Sequence, residues 1–236
     1  MMADNFITIL TAAGAGKRFG GGKRKQFVSL CGKPLFLYSL EVLRMTPGQQ
    51  GIILVVPQDE IEHTGDILSN FGYAGDILKI VPGGELRRQS VKNGFNNLPA
   101  DADLVAVHDG VRPFITMEMV ERAVNACRNS DGTTLAVPVK DTIKQSNGTK
   151  VIRTIDRDQL WQIQTVQVFK TDVLQKAYTA AENRGNPAGF FGTDECFLVE
   201  KIGGSIELVM GSYYNIKVTT PEDLKYAEWL INEKIV

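Results

Sequence analysis

Histidine is scarce in this chain, with 2 residues in 236, and cysteine is limited to Cys31, Cys127 and Cys196. The cysteines lie far apart and form no CxxC pair, which argues against a disulfide framework or a structural zinc site. No run approaches the roughly eighteen consecutive apolar residues of a membrane-spanning helix. The N-terminus lacks a basic region followed by an apolar core and a small-residue cleavage site, so no secretory signal is read there. Net charge is also nearly absent, at -1. Long-range attraction to nucleic acid or to an acidic membrane is therefore not expected. No repeat, low-complexity tract or Ser/His/Asp spacing suggests a solenoid or a hydrolase. The expectation is a soluble cytoplasmic protein with neither nucleic acid nor membrane as a partner.

What is present is a hydrophobic fraction of 43%, enough for a real core, in strand and helix signals that alternate. Phe6 to Leu10, Ile52 to Val56, Ile77 to Val81, Leu104 to Val107 and Thr133 to Val137 read as strands. Helices are expected after Pro34, over 58–70, over Arg87 to Asn97, and from a Thr116 cap to about Asn129. Short, almost wholly apolar strands alternating with helices predict a Rossmann-like α/β fold with a mostly parallel sheet covered on both faces. Ligands of such sheets bind beyond the carboxyl ends of the strands. The loops at 11–26, 82–90 and 108–113 each follow a strand and are expected to meet on one edge. The alternation breaks at 138–165, where two short segments flank Ser146-Asn147-Gly148 and read as a hairpin. Two strands alone are marginal in water, so the hairpin packs on the main body or reaches a partner subunit. Helices near 171–183 and 193–202, a strand near 206–209 and a helix after Thr220-Pro221-Glu222 complete a single domain over 1–236.

The loop after the first strand carries Gly14, Gly16 and the run Gly20-Gly21-Gly22 among the cations Lys17, Arg18, Lys23, Arg24 and Lys25. It begins as GxG, but the third glycine of a dinucleotide fingerprint falls on Phe19. A P-loop ending at Gly16-Lys17 requires glycine where Thr11 stands and Ser or Thr where Arg18 stands. Two readings remain. One is a surface loop with solvated charge. The other is a triphosphate cradle, in which small residues let backbone N–H groups approach an anion and the cations offset its charge. Pro82-Gly83-Gly84-Glu85-Leu86-Arg87-Arg88-Gln89-Ser90 is a second glycine turn into a helix. Either Ser90 and the backbone read a base edge, or the segment is a helix start with solvated arginines. In His108-Asp109-Gly110-Val111-Arg112-Pro113 the carboxylate either meets sugar hydroxyls or a cation, or pairs locally with Arg112, and His108 reads as structural. Capping explains most of Asn215-Ile216-Lys217-Val218-Thr219-Thr220-Pro221-Glu222-Asp223, but not Lys217.

These motifs, together with Lys25-Gln26-Phe27, Pro138-Val139-Lys140-Asp141-Thr142, Asp156-Arg157 and Thr193-Asp194-Glu195, resemble in order and spacing the 2-C-methyl-D-erythritol 4-phosphate cytidylyltransferase family over nearly the whole chain. The resemblance implies transfer of CMP from CTP to methylerythritol 4-phosphate with release of pyrophosphate. It also implies magnesium carried mainly by the CTP phosphates, and a homodimer interlocked by a β-arm at about 139–160. It implies Arg18 and Lys25 as phosphate-binding residues that stabilise the transition state, with Lys217 as a third cation at the α-phosphate. Ala12, Ala13, Gly14, Gly16, Gly84, Glu85 and Ser90 fall on the nucleotide side and Asp109 near the ribose. Arg112, Thr142, Arg157 and Thr165 fall on the acceptor side, some of them reached across the dimer. No metal ligand is assigned. The chain reads Thr165-Val166-Gln167 in a turn where the family commonly has Thr-Pro-Gln. The glycine run predicts a mobile lid in which Lys23 and Arg24 are solvated charge. The rival readings are a cytidylyltransferase for another polyol phosphate, such as ribitol 5-phosphate, and a non-catalytic nucleotide-binding scaffold.

Overall fold

Aliphatic and β-branched runs closed by glycine or proline form the strands, and the segments with helical spacing pack over them. The computed structural model describes residues 5–14, 19, 24–183 and 194–236. The chain runs through β1 (Phe6–Thr11), a short antiparallel pair β2 (Ser29–Leu30) and β3 (Lys33–Pro34), α1 (Leu35–Met45), β4 (Gln49–Val56) and α2 (Ile61–Asn70). It continues through β5 (Ile77–Pro82), α3 (Arg87–Phe95), β6 (Leu104–Asp109), α4 (Met117–Ala126) and β7 (Gly132–Pro138). Then come β8 (Ile143–Asn147), β9 (Lys150–Ile155), β10 (Trp161–Lys170), α5 (Thr171–Asn183), α6 (Glu195–Lys201), β11 (Ile206–Met210) and α7 (Pro221–Asn232).

The main sheet has the order β11-β7-β10-β6-β1-β4-β5. All its pairings are parallel except those of β10, which runs antiparallel to both β6 and β7. Alternate residues of each strand serve two cores. Phe6, Leu10, Ile52, Leu54 and Ala106 face α1, α2 and α4, whereas Ile7, Ile9, Ile53, Val55 and Val107 face α3, α5 and α6. A third cluster seats Ala227 and Leu230 of α7 on Leu30, Leu35, Val111 and Phe114. It thereby fixes the segment that carries Lys217 beside the loop after β6.

The strand β10 is absent from the expectations, and its finding corrects one of them. Thr165-Val166-Gln167 lies within this strand, at a register shift against β7, and not in a turn; the Thr165–Val166 peptide is cis. The expected hairpin is present as β8 and β9, paired with each other in a separate two-stranded sheet. Its turn sits at Gly148-Thr149, so Ser146 and Asn147 of the expected turn belong to β8, and Gly148 has φ 58°. That left-handed conformation favours glycine.

Candidate active site

The loops after β6, β1 and β5 build the site at one edge of the sheet, with β4 between the last two strands. Ala12 continues the sheet for one residue by donating its N–H to the Val55 carbonyl at 2.7 Å. Gly83 then closes the second loop against the first. A Cβ on Gly83 would stand 2.2 Å from the Ala13 Cβ and 3.0 Å from the Ser90 Oγ, so only glycine permits this approach. Ser90 is buried and accepts from the Gly84 N–H at 3.0 Å, which turns the Gly84-Glu85 backbone toward the open space.

The expected nucleotide-side residues converge. Ala12, Ala13 and Gly14 line one wall of a cleft, and Gly84, Glu85 and Ser90 line another. Lys25, Asp109 and Lys217 complete it. An adjoining cleft holds Arg112 and Thr165 with Gln164 and Asp194, and the two clefts share Arg87, Asp109 and Lys217. Thr142 and Arg157 line neither cleft; both are exposed near the arm, where Arg157 donates to the Lys140 carbonyl. Arg18, Gly16, Thr193 and the run Gly20-Gly21-Gly22 lie outside the described residues.

Asp109 is the hub. It is 5% exposed; its Oδ2 accepts from Lys217 Nζ at 2.6 Å, and its Oδ1 from Arg87 Nε at 3.0 Å and Thr11 Oγ1 at 3.3 Å. Burial opposes its ionisation, but Arg87, Lys217 and Arg112 outweigh it and hold the carboxyl well below the usual carboxylate range. The local Asp109–Arg112 pair is the loosest of these contacts, at 4.0 Å. Arg112 instead donates from Nη1 to the Asn215 carbonyl at 2.8 Å and so ties the loop after β6 to the Lys217 segment.

His108 is fully buried, as its structural reading expects. The Asp109 N–H donates to Thr165 Oγ1 at 3.1 Å, and that hydroxyl lies 3.1 Å from His108 Nδ1. His108 Nε2 lies 3.3 Å from the Arg112 carbonyl, which only accepts. The proton of the neutral ring therefore sits on Nε2, and Nδ1 accepts from Thr165. Burial pushes the imidazole down to about 4.

Two arginines depart from the solvated reading. Arg24 pairs with Asp59 at 2.8 Å and Glu60 at 2.9 Å, which pins the end of the first loop to the segment before α2. Arg87 opens α3 and bridges Asp109 to Glu195, whose Oε2 it meets at 2.7 Å. The sequence offers no local signal for the second bridge, because its partners stand on loops distant in the chain. Gln26, Thr11 and Gln164 also line the clefts without having been singled out as site residues.

A glycine-shaped cleft at the strand ends, walled by cations around one buried carboxylate, defines an α/β nucleotidyltransferase. The family model for 2-C-methyl-D-erythritol 4-phosphate cytidylyltransferase matches residues 6–233. Proteins of that description from Bacillus velezensis and Alkaliphilus metalliredigens are each 41% identical, over 94% and 99% of this chain and 94% and 95% of their own. The crystal structure of 4-diphosphocytidyl-2C-methyl-D-erythritol synthase from Anaerococcus prevotii superposes with a TM-score of 0.85 at 30% identity, covering 98% of this chain and 97% of that one. The chain belongs to the 2-C-methyl-D-erythritol 4-phosphate cytidylyltransferase family.

Proposed function

We propose that the paired clefts are the site at which this chain works as a cytidylyltransferase. The reaction is cytidylyl transfer from CTP to 2-C-methyl-D-erythritol 4-phosphate, giving 4-diphosphocytidyl-2-C-methyl-D-erythritol and pyrophosphate. The observation that carries the site assignment is the sharing of Arg87, Asp109 and Lys217 between two adjoining clefts, as a transfer between two bound phosphates requires. CTP takes the cleft of Ala12, Ala13, Gly14, Gly84, Glu85 and Ser90, with Gly16 and Arg18 on the same loop. The acceptor takes the cleft of Arg112 and Thr165.

An acceptor phosphate oxygen attacks the α-phosphorus in line, and pyrophosphate leaves. The second pKa of a phosphate ester is about 6, so the nucleophile is already ionised near neutral pH and no general base is needed. Lys25, Lys217 and Arg18 stabilise the charge that shifts during transfer. Of these, Lys217 is placed before substrate arrives, because Asp109 holds it. No group of three or more His, Cys, Asp or Glu residues suited to a metal occurs among the described residues. The oxygens of Asp109 already accept from cations. Such a site suits a magnesium ion that would be held mainly by the triphosphate oxygens and water rather than by a protein cage. When bound, it offsets charge on the leaving pyrophosphate.

Arg157 and Thr142 serve the acceptor from the partner subunit's arm. Support comes from the arm itself: Val151 and Ile152 are 62% and 60% exposed on a two-stranded sheet that, among the described residues, pairs with no strand of the main sheet. A homodimer covers that surface, while 1–236 forms one domain with the arm as its extension. No helix among the described residues is long and apolar enough to cross a membrane. Cys31, Cys127 and Cys196 form no disulfide among the described residues, in accord with a cytoplasmic setting.

Pyrophosphate release with CTP, scanned over methylerythritol 4-phosphate and ribitol 5-phosphate, tests the acceptor. Equal or better turnover of ribitol 5-phosphate sinks the assignment. Mixing Arg157→Ala and Lys25→Ala subunits tests the arm. Random pairing makes half the dimers mixed, each with one intact site, so about a quarter of parental activity returns. No recovery means that Arg157 acts within its own subunit.

A further inference from the structure

We propose that Arg87 and Glu195 form a positioning pair that orients Asp109 and thereby sets where the Lys217 ammonium stands between the two clefts. The inference rests on the site assignment above and adds residues to which no role has been given.

Arg87 is the first residue of α3 and Glu195 the first of α6, two helices that pack in the same core on one face of the sheet. Glu195 is 1% exposed, and its only ion pair among the described residues is with Arg87. A buried ion pair is a poor source of stability, because apolar residues of similar volume serve as well or better. What this pair does supply is direction. The guanidinium gives Nη1 to Glu195 and Nε to Asp109 Oδ1. Two bonds at fixed angles hold the fork, and the fork holds one oxygen of Asp109. The other oxygen is thereby turned to Lys217, the flexible end of which gains a fixed anchor.

The charge balance points the same way. Arg87, Arg112 and Lys217 stand against Asp109 and Glu195, so the cluster carries one net positive charge where two phosphates are to meet. Without Arg87 the balance falls to zero. Lys217, already the closest counter-ion of Asp109 at 2.6 Å, then carries most of the pairing alone and is drawn away from the phosphates. Arg87 thus leaves Lys217 partly uncommitted as well as placing it. A lysine at position 87 would keep the charge but lose the fork.

The test compares Arg87→Gln, Arg87→Lys and the double variant Arg87→Gln/Glu195→Gln by steady-state kinetics and thermal unfolding. Arg87→Gln and Arg87→Lys are expected to lower kcat by about 30-fold or more, the scale of losing one oriented charge contact in a transition state, while KM for CTP stays within about threefold. Arg87→Gln strands the Glu195 carboxylate and lowers Tm. The double variant removes that stranded charge, so its Tm returns toward the parent while kcat remains low. Recovery of parental kcat in the double variant overturns the proposal, since Arg87 then merely neutralises Glu195. Full activity of Arg87→Lys overturns it too, because charge without the fork then suffices. Lys217→Ala separates this failure from that of the site assignment. Unimpaired Lys217→Ala removes the site itself, whereas impaired Lys217→Ala beside an active double variant removes only the role of Arg87.

Discussion

His108 makes the stability of this fold depend on pH in a window where few other groups titrate. Its ring is fully buried, and burial pushes its pKa from the ordinary 6.5 down to about 4. The folded state therefore holds the ring neutral where the unfolded chain already binds a proton. Stability from this source is complete above about pH 6.5 and is lost as pH falls toward 4. Integrating between pH 7.5 and pH 5 gives a loss of about 2 kcal/mol, and the full shift is worth about 3 kcal/mol. The hydrogen bonds give the loss a structural cause. A proton on Nδ1 displaces the Thr165 hydroxyl hydrogen that it accepts, and that hydroxyl also receives the Asp109 N–H.

Two neighbouring carboxylates titrate differently. Asp109 is held below its ordinary range by Arg87, Lys217 and Arg112 against the effect of burial, so its contribution is lost only in stronger acid. Burial raises the Glu195 carboxyl, with Arg87 opposing, so folding gains from its protonation as pH falls. A comparison with His108→Gln cancels both. Urea unfolding at fixed protein concentration, followed by tryptophan fluorescence at pH 7.5 and pH 5, provides the measurement. The parent should lose about 2 kcal/mol more than the variant between the two pH values. A variant that weakens as steeply as the parent would refute the assignment of this window to His108.

The glycine contact and the last helix cap give two more expectations. Gly83→Ala places a Cβ 2.2 Å from Ala13, so the two nucleotide loops must part; a loss of CTP affinity of about tenfold by calorimetric titration is expected. Unchanged affinity would mean that the contact does not shape the cleft. Thr220 caps α7 by accepting from the Asp223 N–H at 3.3 Å while Asp223 Oδ2 accepts from the Thr220 N–H at 2.9 Å. Thr220→Ala should cost about 1 kcal/mol in urea unfolding, and an unmoved midpoint would deny the cap any net contribution.

The loops that gather at the sheet edge were legible because each follows an apolar strand, and a parallel sheet brings such strand ends together. The strand β10 was not legible, and its residues show why. Gln162, Gln164 and Gln167 break the apolar run, as they would in a surface segment. In the fold Gln167 is fully buried; its Nε2 donates to Asp194 Oδ2 at 2.7 Å and to Thr134 Oγ1 at 3.2 Å. Gln164 Nε2 donates to the Ser212 carbonyl at 2.7 Å. A polar residue that finds its partners inside looks, in sequence, like one that faces water. Arg87 was unreadable for the same reason, since its partners lie 22 and 108 positions away.

These buried polar contacts bear on how the reaction proceeds with so little histidine. Attack by an already ionised phosphate asks for cations in fixed places, not for a proton acceptor. Lysine ends are mobile, and holding one still requires an anchor that remains ionised. Asp109 meets that need only because Arg87, Lys217 and Arg112 together overcome its burial. His108 contributes by staying neutral. Its Nε2–H reaches the Arg112 carbonyl and its Nδ1 takes the Thr165 hydroxyl, so the ring braces the turn on which Asp109 and Arg112 stand. A charged imidazole there would repel the neighbouring cations and compete for the same carboxylate. Keeping His108 neutral thus reserves Asp109 for the cations shared by the two clefts.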